Sequence, residues 1–252
     1  HYMFNGGTDL IGITDSDSGL PKLIVPPQED ETISSNIFRL NGSCTIKNLS
    51  FTNIHFQFIM TSNETAETLD IKFENCSFNN CWFLFPGATQ VETLFRLTID
   101  RCKFIDSFIR GATSSSQTNF ISIKNSYIEL NPGSPQYFLL LPMHIQHQCA
   151  CDVSNNFIVN SSDAGGGHAT INITAPNGAV GIRHSVKIHN NVIVHGTNAD
   201  TSSIYIFNIP NVHITDNRII YTHENPGNGV ALIAVRTPEN AVIRNNVLTA
   251  TS

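Results

Sequence analysis

The chain has 252 residues, a net charge of −6 and only 13% charged residues. That balance leaves no basic stripe to neutralise phosphates, which excludes a general nucleic-acid binder. No apolar run approaches the ~20 residues that span a bilayer, so no membrane insertion is expected.

Asn, Ser, Thr, Ile and Phe are plentiful, and no long stretch has the Ala/Leu/Glu/Lys character of a helix former. Composition therefore points to strands and turns. The first residues, "HYMFNGGTDL", do not resemble a signal peptide. Residues 1–36 are expected to be a lead-in to a domain over 37–252, itself expected to be a fragment of a longer chain.

From residue 46 one phrase recurs in eight segments: "IKNLSF" at 46, "FENCSF" at 73, "IDRCKF" at 99, "IKNSYI" at 123, "VSNNFI" at 153, "IHNNVI" at 188, "ITDNRI" at 214 and "IRNNVL" at 243. The aligned anchors are Leu49, Cys76, Cys102, Ser126, Asn156, Asn191, Asn217 and Asn246, separated by 27, 26, 24, 30, 35, 26 and 29 residues. A period of this size on a strand-like unit is the signature of a solenoid. Apolar residues keep step three positions before each anchor and two after it, and at a side-chain period of two these columns face inward. Between anchors lie further strand candidates: "FQFIM" at 56, "WFLF" at 82, "YFLLL" at 137, "TINI" at 170, "IYIF" at 204 and "ALIAV" at 231. The pattern predicts an all-β parallel β-helix of about eight coils. In each Asn pair, one residue takes the left-handed bend, and the other turns inward as a rung of an Asn/Cys ladder.

Cys76 and Cys102 occupy the ladder column, and Cys44 and Cys151 an inward column five residues earlier. Stacked side chains at the ~4.8 Å strand spacing lie wider apart than the ~3.8 Å Cβ separation of a disulfide. "CAC" at 149 and "NCSFNNC" at 75 lack zinc spacing. Buried, reduced thiols are expected, and with them assembly in a reducing cytoplasm. The sequons "NET" at 63 and "NIT" at 172 point weakly the other way.

Candidate chemistry lies in the outward columns and the longer coils. Glu74 and Asp100 stand two residues before consecutive anchors and should stack on adjacent coils, near the ~5–5.5 Å separation used by retaining glycosidases. Lys47 and Lys124 flank them, so a salt-bridged surface ladder is the favoured reading of the same column. Asp152, Lys187 and His213 form a second outward column, again expected to be salt-bridged. The longer coils carry "PMHIQHQ", with His144 and His147, and "SSDAGGGHAT", with Asp163 and His168. Insertions in solenoids emerge as loops where ligand contacts concentrate, which makes these four residues ligand-binding candidates. Tyr127, one position after its anchor, should face outward and suits sugar contact or a subunit interface. No cofactor and no metal are called for.

At the repeats, and above all at "IFRLNGSCTIKNLSFTN" over 37–53, the chain resembles right-handed parallel β-helix proteins of the pectin-lyase-like superfamily, a resemblance that runs to about residue 249. That superfamily includes lyases, hydrolases, epimerases, adhesins and phage tailspikes, so the resemblance is specific for fold and poor for function. The absence of a signal-like start, and a last coil, "AVIRNNVLTATS", without a polar cap, favour a phage tailspike or tail-fibre domain. The resemblance then implies a homotrimer in the virion tail that binds host-surface polysaccharide, with possible glycoside hydrolase activity. A secreted, free-standing polysaccharide lyase, hydrolase or epimerase is the alternative. The calcium-binding acidic clusters of the family's lyases have no counterpart on neighbouring coils.

Overall fold

The computed structural model describes residues 2–4, 10–11, 22–24, 37–40, 42–58, 68–84, 93–111, 117–135, 137–143, 148–162, 169–176, 184–196, 202–222 and 231–250. Every described element is a strand, and each strand pairs in parallel with those of its neighbouring coils, building three sheets of nine strands. The chain visits the sheets in rotation. Ile37–Leu40 lies in the first sheet, Cys44–Lys47 in the second and Ser50–Thr52 in the third, and His55–Phe58 returns to the first. This is the expected parallel β-solenoid.

The anchors gave eight coils, and that count is corrected. Tyr2–Phe4, Leu10–Ile11 and Lys22–Ile24 carry no anchor phrase, yet they pair in parallel with Ile37–Leu40, Cys44–Lys47 and Ser50–Thr52. Strand pairing needs only extended backbone, so a rung can be added without the ladder motif. All six inter-anchor candidates fall in the first sheet, from His55–Phe58 and Trp82–Leu84 to Ile204–Phe207 and Ile233–Arg236.

The two apolar columns face inward as their spacing requires. Ile46, Phe73, Ile99, Ile123, Val153, Ile188 and Ile214 are fully buried, as are Phe51, Phe78, Phe104, Ile128, Ile158, Ile193 and Ile219. At one end the core is aromatic. Phe51 and Phe78 stack at 5.5 Å, and Phe56 and Phe83 at 4.6 Å. Toward the other end Ile and Val take over.

Two-residue bends join the second sheet to the third. Their first residues, Asn48, Asn75, Arg101, Asn125, Asn155, Asn190, Asp216 and Asn245, all have φ between 53° and 59°. Asn and Asp tolerate this left-handed region best among residues with a side chain. The second residue of each bend is the anchor. Backbone N–H groups of Ser126, Asn156, Asn191 and Asn217 donate to Oδ1 of Asn156, Asn191, Asn217 and Asn246 at 2.9–3.0 Å. Each of these four Nδ2 groups donates back to a carbonyl of the preceding coil, on Ile123, Val153, Ile188 and Ile214. The ladder continues through oxygen and sulfur, with Cys102 N donating to Ser126 Oγ (3.0 Å) and Cys76 N to Cys102 Sγ (3.4 Å).

A second set of bends, between the third and first sheets, escaped the motif. Asn53, Asn80 and Asp106 have φ of 58°, 51° and 50°. The inward residues that follow are Ile54, Cys81 and Ser107, with Cys81 N donating to Ser107 Oγ at 2.9 Å. All six cysteines are buried and outside any disulfide. Burial pushes the Cys81 thiol up to about 12 and raises Cys102 and Cys151 as well. Asn172 of the second sequon is buried in Ile171–Thr174, closed to modification in the folded chain.

Candidate functional site

The second sheet carries the predicted carboxylates on its outer face. Glu74 ends Thr68–Glu74, Asp100 ends Thr93–Asp100, and the two stand in register on adjacent strands. Their side chains are 16% and 14% exposed. Glu74 is enclosed by cations: Lys47 Nζ and Lys72 Nζ each lie 3.1 Å from its Oε2, and the Arg101 guanidinium bonds its Oε1. Lys72 comes from the same strand, two residues earlier, where the pleat returns to the outer face. Hydrogen bonds from Lys47 and Lys72 hold the Glu74 carboxyl down at about 2.

Asp100 is engaged differently from expectation. Asn125 Nδ2 donates to its Oδ1 at 2.8 Å and Arg101 Nε lies 3.8 Å from its Oδ2, while Lys124 forms no ion pair among the described residues. Arg101 was not foreseen. It fills a left-handed bend position held elsewhere by Asn or Asp, and that substitution was the signal available. In the neighbouring column Asp152 Oδ1 lies 3.3 Å from His189 Nε2, one column over from the expected partners Lys187 and His213.

Tyr127 faces outward from Tyr127–Leu130 in the third sheet and has a partner that sequence reading passed over. Phe157, its register neighbour on the next coil, stacks on it with centroids 5.8 Å apart and planes 5° apart. The rings are 36% and 43% exposed. Lys103 Nζ sits 5.7 Å from the Tyr127 centroid on the coil before, and the Tyr127 hydroxyl donates to Glu129 Oε2 at 2.8 Å. The accepting carboxylate pushes the phenol pKa up. Phe157 follows its anchor by one, as Tyr127 does, so the alignment held the information.

A second aromatic row runs along the first sheet, with centroid separations of 6.1 Å for His55–Trp82, 5.0 Å for Trp82–Phe108 and 5.4 Å for Phe108–Tyr137. Phe108 is buried and the other three are half-buried, so this row offers less open ring face. His144, His147, Asp163 and His168 lie outside the described residues. Among the described residues no group of three His, Cys, Asp or Glu side chains converges to hold a metal ion.

The structure thus brings Glu74 to Asp100, and Tyr127 to Phe157, on outer faces of different sheets. The carboxylate pair is neutralised by its surroundings. The aromatic pair is stacked, partly exposed and flanked by a cation and a carboxylate. The chain matches no protein-family model, no curated protein and no solved structure.

Proposed function

We propose that this chain is a glycan-binding β-solenoid, the right-handed, pectin-lyase-like shaft of a phage tailspike or tail fibre. In this role it engages host-surface polysaccharide as a homotrimer in the virion tail, after assembly in the host cytoplasm. The observation that carries the binding role is the exposed Tyr127–Phe157 pair on a rigid sheet. Stacked rings on neighbouring strands offer their exposed apolar edges to the C–H side of sugar rings, and Lys103, Glu129 and the Tyr127 hydroxyl stand beside them for the hydroxyl groups. Six reduced, buried thiols support assembly in a reducing compartment.

The second reading, a glycoside hydrolase, is favoured only by Glu74 and Asp100 standing in register. Retaining hydrolysis needs one protonated and one ionised carboxyl near neutral pH. A Glu74 carboxyl held at about 2 is ionised throughout that range and is not the proton donor, and Lys47, Lys72 and Arg101 occupy the oxygens with which it would attack.

The test is a bacterial-glycan array probed with wild type, Tyr127→Ala and Phe157→Ala. Both substitutions lie at exposed positions and should leave the fold intact. Each should lower binding to the recognised glycan by about tenfold, since stacking contacts of this kind contribute roughly 0.5–1.5 kcal/mol beyond area burial. Unaltered binding by both variants would remove the platform from the account.

A further inference from the structure

The outer face of the second sheet holds an open groove of about 300 Å³, four coils long, that neither the Glu74–Asp100 pair nor the Tyr127–Phe157 pair lines. Its floor consists of small side chains. Thr98 and Ser122 are register neighbours in one column, Ala150 and Ser185 in the next. Around that floor stand Arg96, Phe120, Asp152 and Lys187.

Phe120 is half-buried, and its two register neighbours are unequal. On one side is Arg96, whose guanidinium carbon lies 5.8 Å from the ring centroid. On the other is Ala150, followed by Ser185, so the space beside the ring on that side is groove. The two cations of the groove are exposed, and neither forms an ion pair among the described residues. Lys187 stands in register with Asp152, but the Asp152 carboxylate lies against His189 Nε2 instead. One apolar ring face, hydroxyl groups on the floor and two cations with donors to spare are thus gathered on one rigid surface.

We infer that this groove is a binding subsite for a glycan that bears anionic substituents, carboxylate or sulfate. A sugar ring packs on the open side of Phe120, and acidic groups along the glycan pair with Lys187 at one end of the groove and Arg96 at the other. The planar guanidinium supplies paired donors to an oxyanion, and the ammonium a mobile second charge. Thr98, Ser122 and Ser185 exchange hydrogen bonds with ring hydroxyls, and the Asp152 oxygen not facing His189 accepts one more. The inference rests on the glycan-binding reading and adds the charge of the ligand. It assigns the neutralised Glu74–Asp100 cluster no part in recognition.

The experiment compares retention of wild type, Arg96→Gln, Lys187→Gln and the double variant on immobilised alginate, dextran sulfate and unmodified dextran. Alginate carries carboxylates and dextran sulfate carries sulfates, so the pair identifies the preferred anion. Dextran controls for the uncharged sugar backbone. Wild type should bind at least one polyanion more tightly than dextran, with affinity falling as salt rises. Each single variant should lose roughly tenfold on that polyanion and the double variant more, since hydrogen bonds to charged groups are the stronger class. Thermal melts should show all variants folded, as both side chains are exposed. Polyanion binding that is absent, or that all three variants retain in full, would overturn the groove. The aromatic platform is scored separately by Tyr127→Ala and Phe157→Ala on the array, so the groove can fail while the glycan-binding reading stands. A chain that retains no glycan in either experiment removes both.

Discussion

Asn191 donates and accepts hydrogen bonds across three consecutive coils: its Oδ1 takes the Asn156 N–H, its own N–H goes to Asn217 Oδ1, and its Nδ2 reaches the Val153 carbonyl. Asn191→Leu leaves the Asn156 N–H and the Val153 carbonyl buried without these partners, at roughly 1–3 kcal/mol each. Urea melts should show a loss of that order, and a neutral result would contradict the ladder. Asn191→Asp keeps the acceptor but loses the Nδ2 donor and buries a charge, so it should also destabilise. Glu74 gives a prediction in pH. Its folded pKa is depressed from 4.5 to about 2, so the stabilisation it contributes is complete above 4.5 and is lost as pH falls toward 2. The stability gap between wild type and Glu74→Gln should therefore be constant near neutrality and close between those values. A gap that persists at pH 2 would show that the surrounding cations do not stabilise the ionised carboxylate.

At the scale of the strand, Phe78 in Ser77–Asn79 touches rings on three coils: Phe51 at 5.5 Å, Phe83 at 4.9 Å and Phe104 at 4.7 Å. Phe78→Ala opens a cavity that β-sheet backbone cannot collapse around, so a loss of about 3–5 kcal/mol is expected in denaturant melts. Phe157→Ala, on the outer face, should cost far less. This inward–outward contrast is also why the strands of the second and third sheets were legible in the sequence. Their period-2 alternation and the left-handed Asn beside each anchor are properties of neighbouring residues. The bends at Asn53, Asn80 and Asp106 were not legible, because the coils beyond Leu130 replace them with longer connections and no column survives to be aligned. Asp106 has become a local cap there, accepting from Asn131 N (2.9 Å) and Ser134 Oγ (2.5 Å). The coil of Tyr2–Phe4, Leu10–Ile11 and Lys22–Ile24 was invisible for a related reason: it pairs in parallel with the next coil but carries no anchor phrase to be aligned.

Over the whole molecule, parallel stacking turns positions along the chain into columns at a spacing near 4.8 Å, and each outer face carries its own chemistry. The third sheet presents the Tyr127–Phe157 platform. The second presents the paired charges around Glu74 and, farther across the same face, the groove at Phe120. Which residues become neighbours was set by coil length, so the Glu74–Asp100 stack was legible from the 26-residue spacing of Cys76 and Cys102. Arg101 closing on Glu74 was not, because it depends on a long side chain folding back along the bend. A rigid stack with these faces is suited to holding a polymer, and its carboxylate pair is set up as an ion-pair network. The most direct measurement incubates wild type, Glu74→Gln and Asp100→Asn with a glycan recognised on the array, following binding and glycan chain length together. Binding by all three proteins with chain length unchanged is the predicted result. Shortening of the glycan by wild type, abolished in both variants while binding persists, would contradict it.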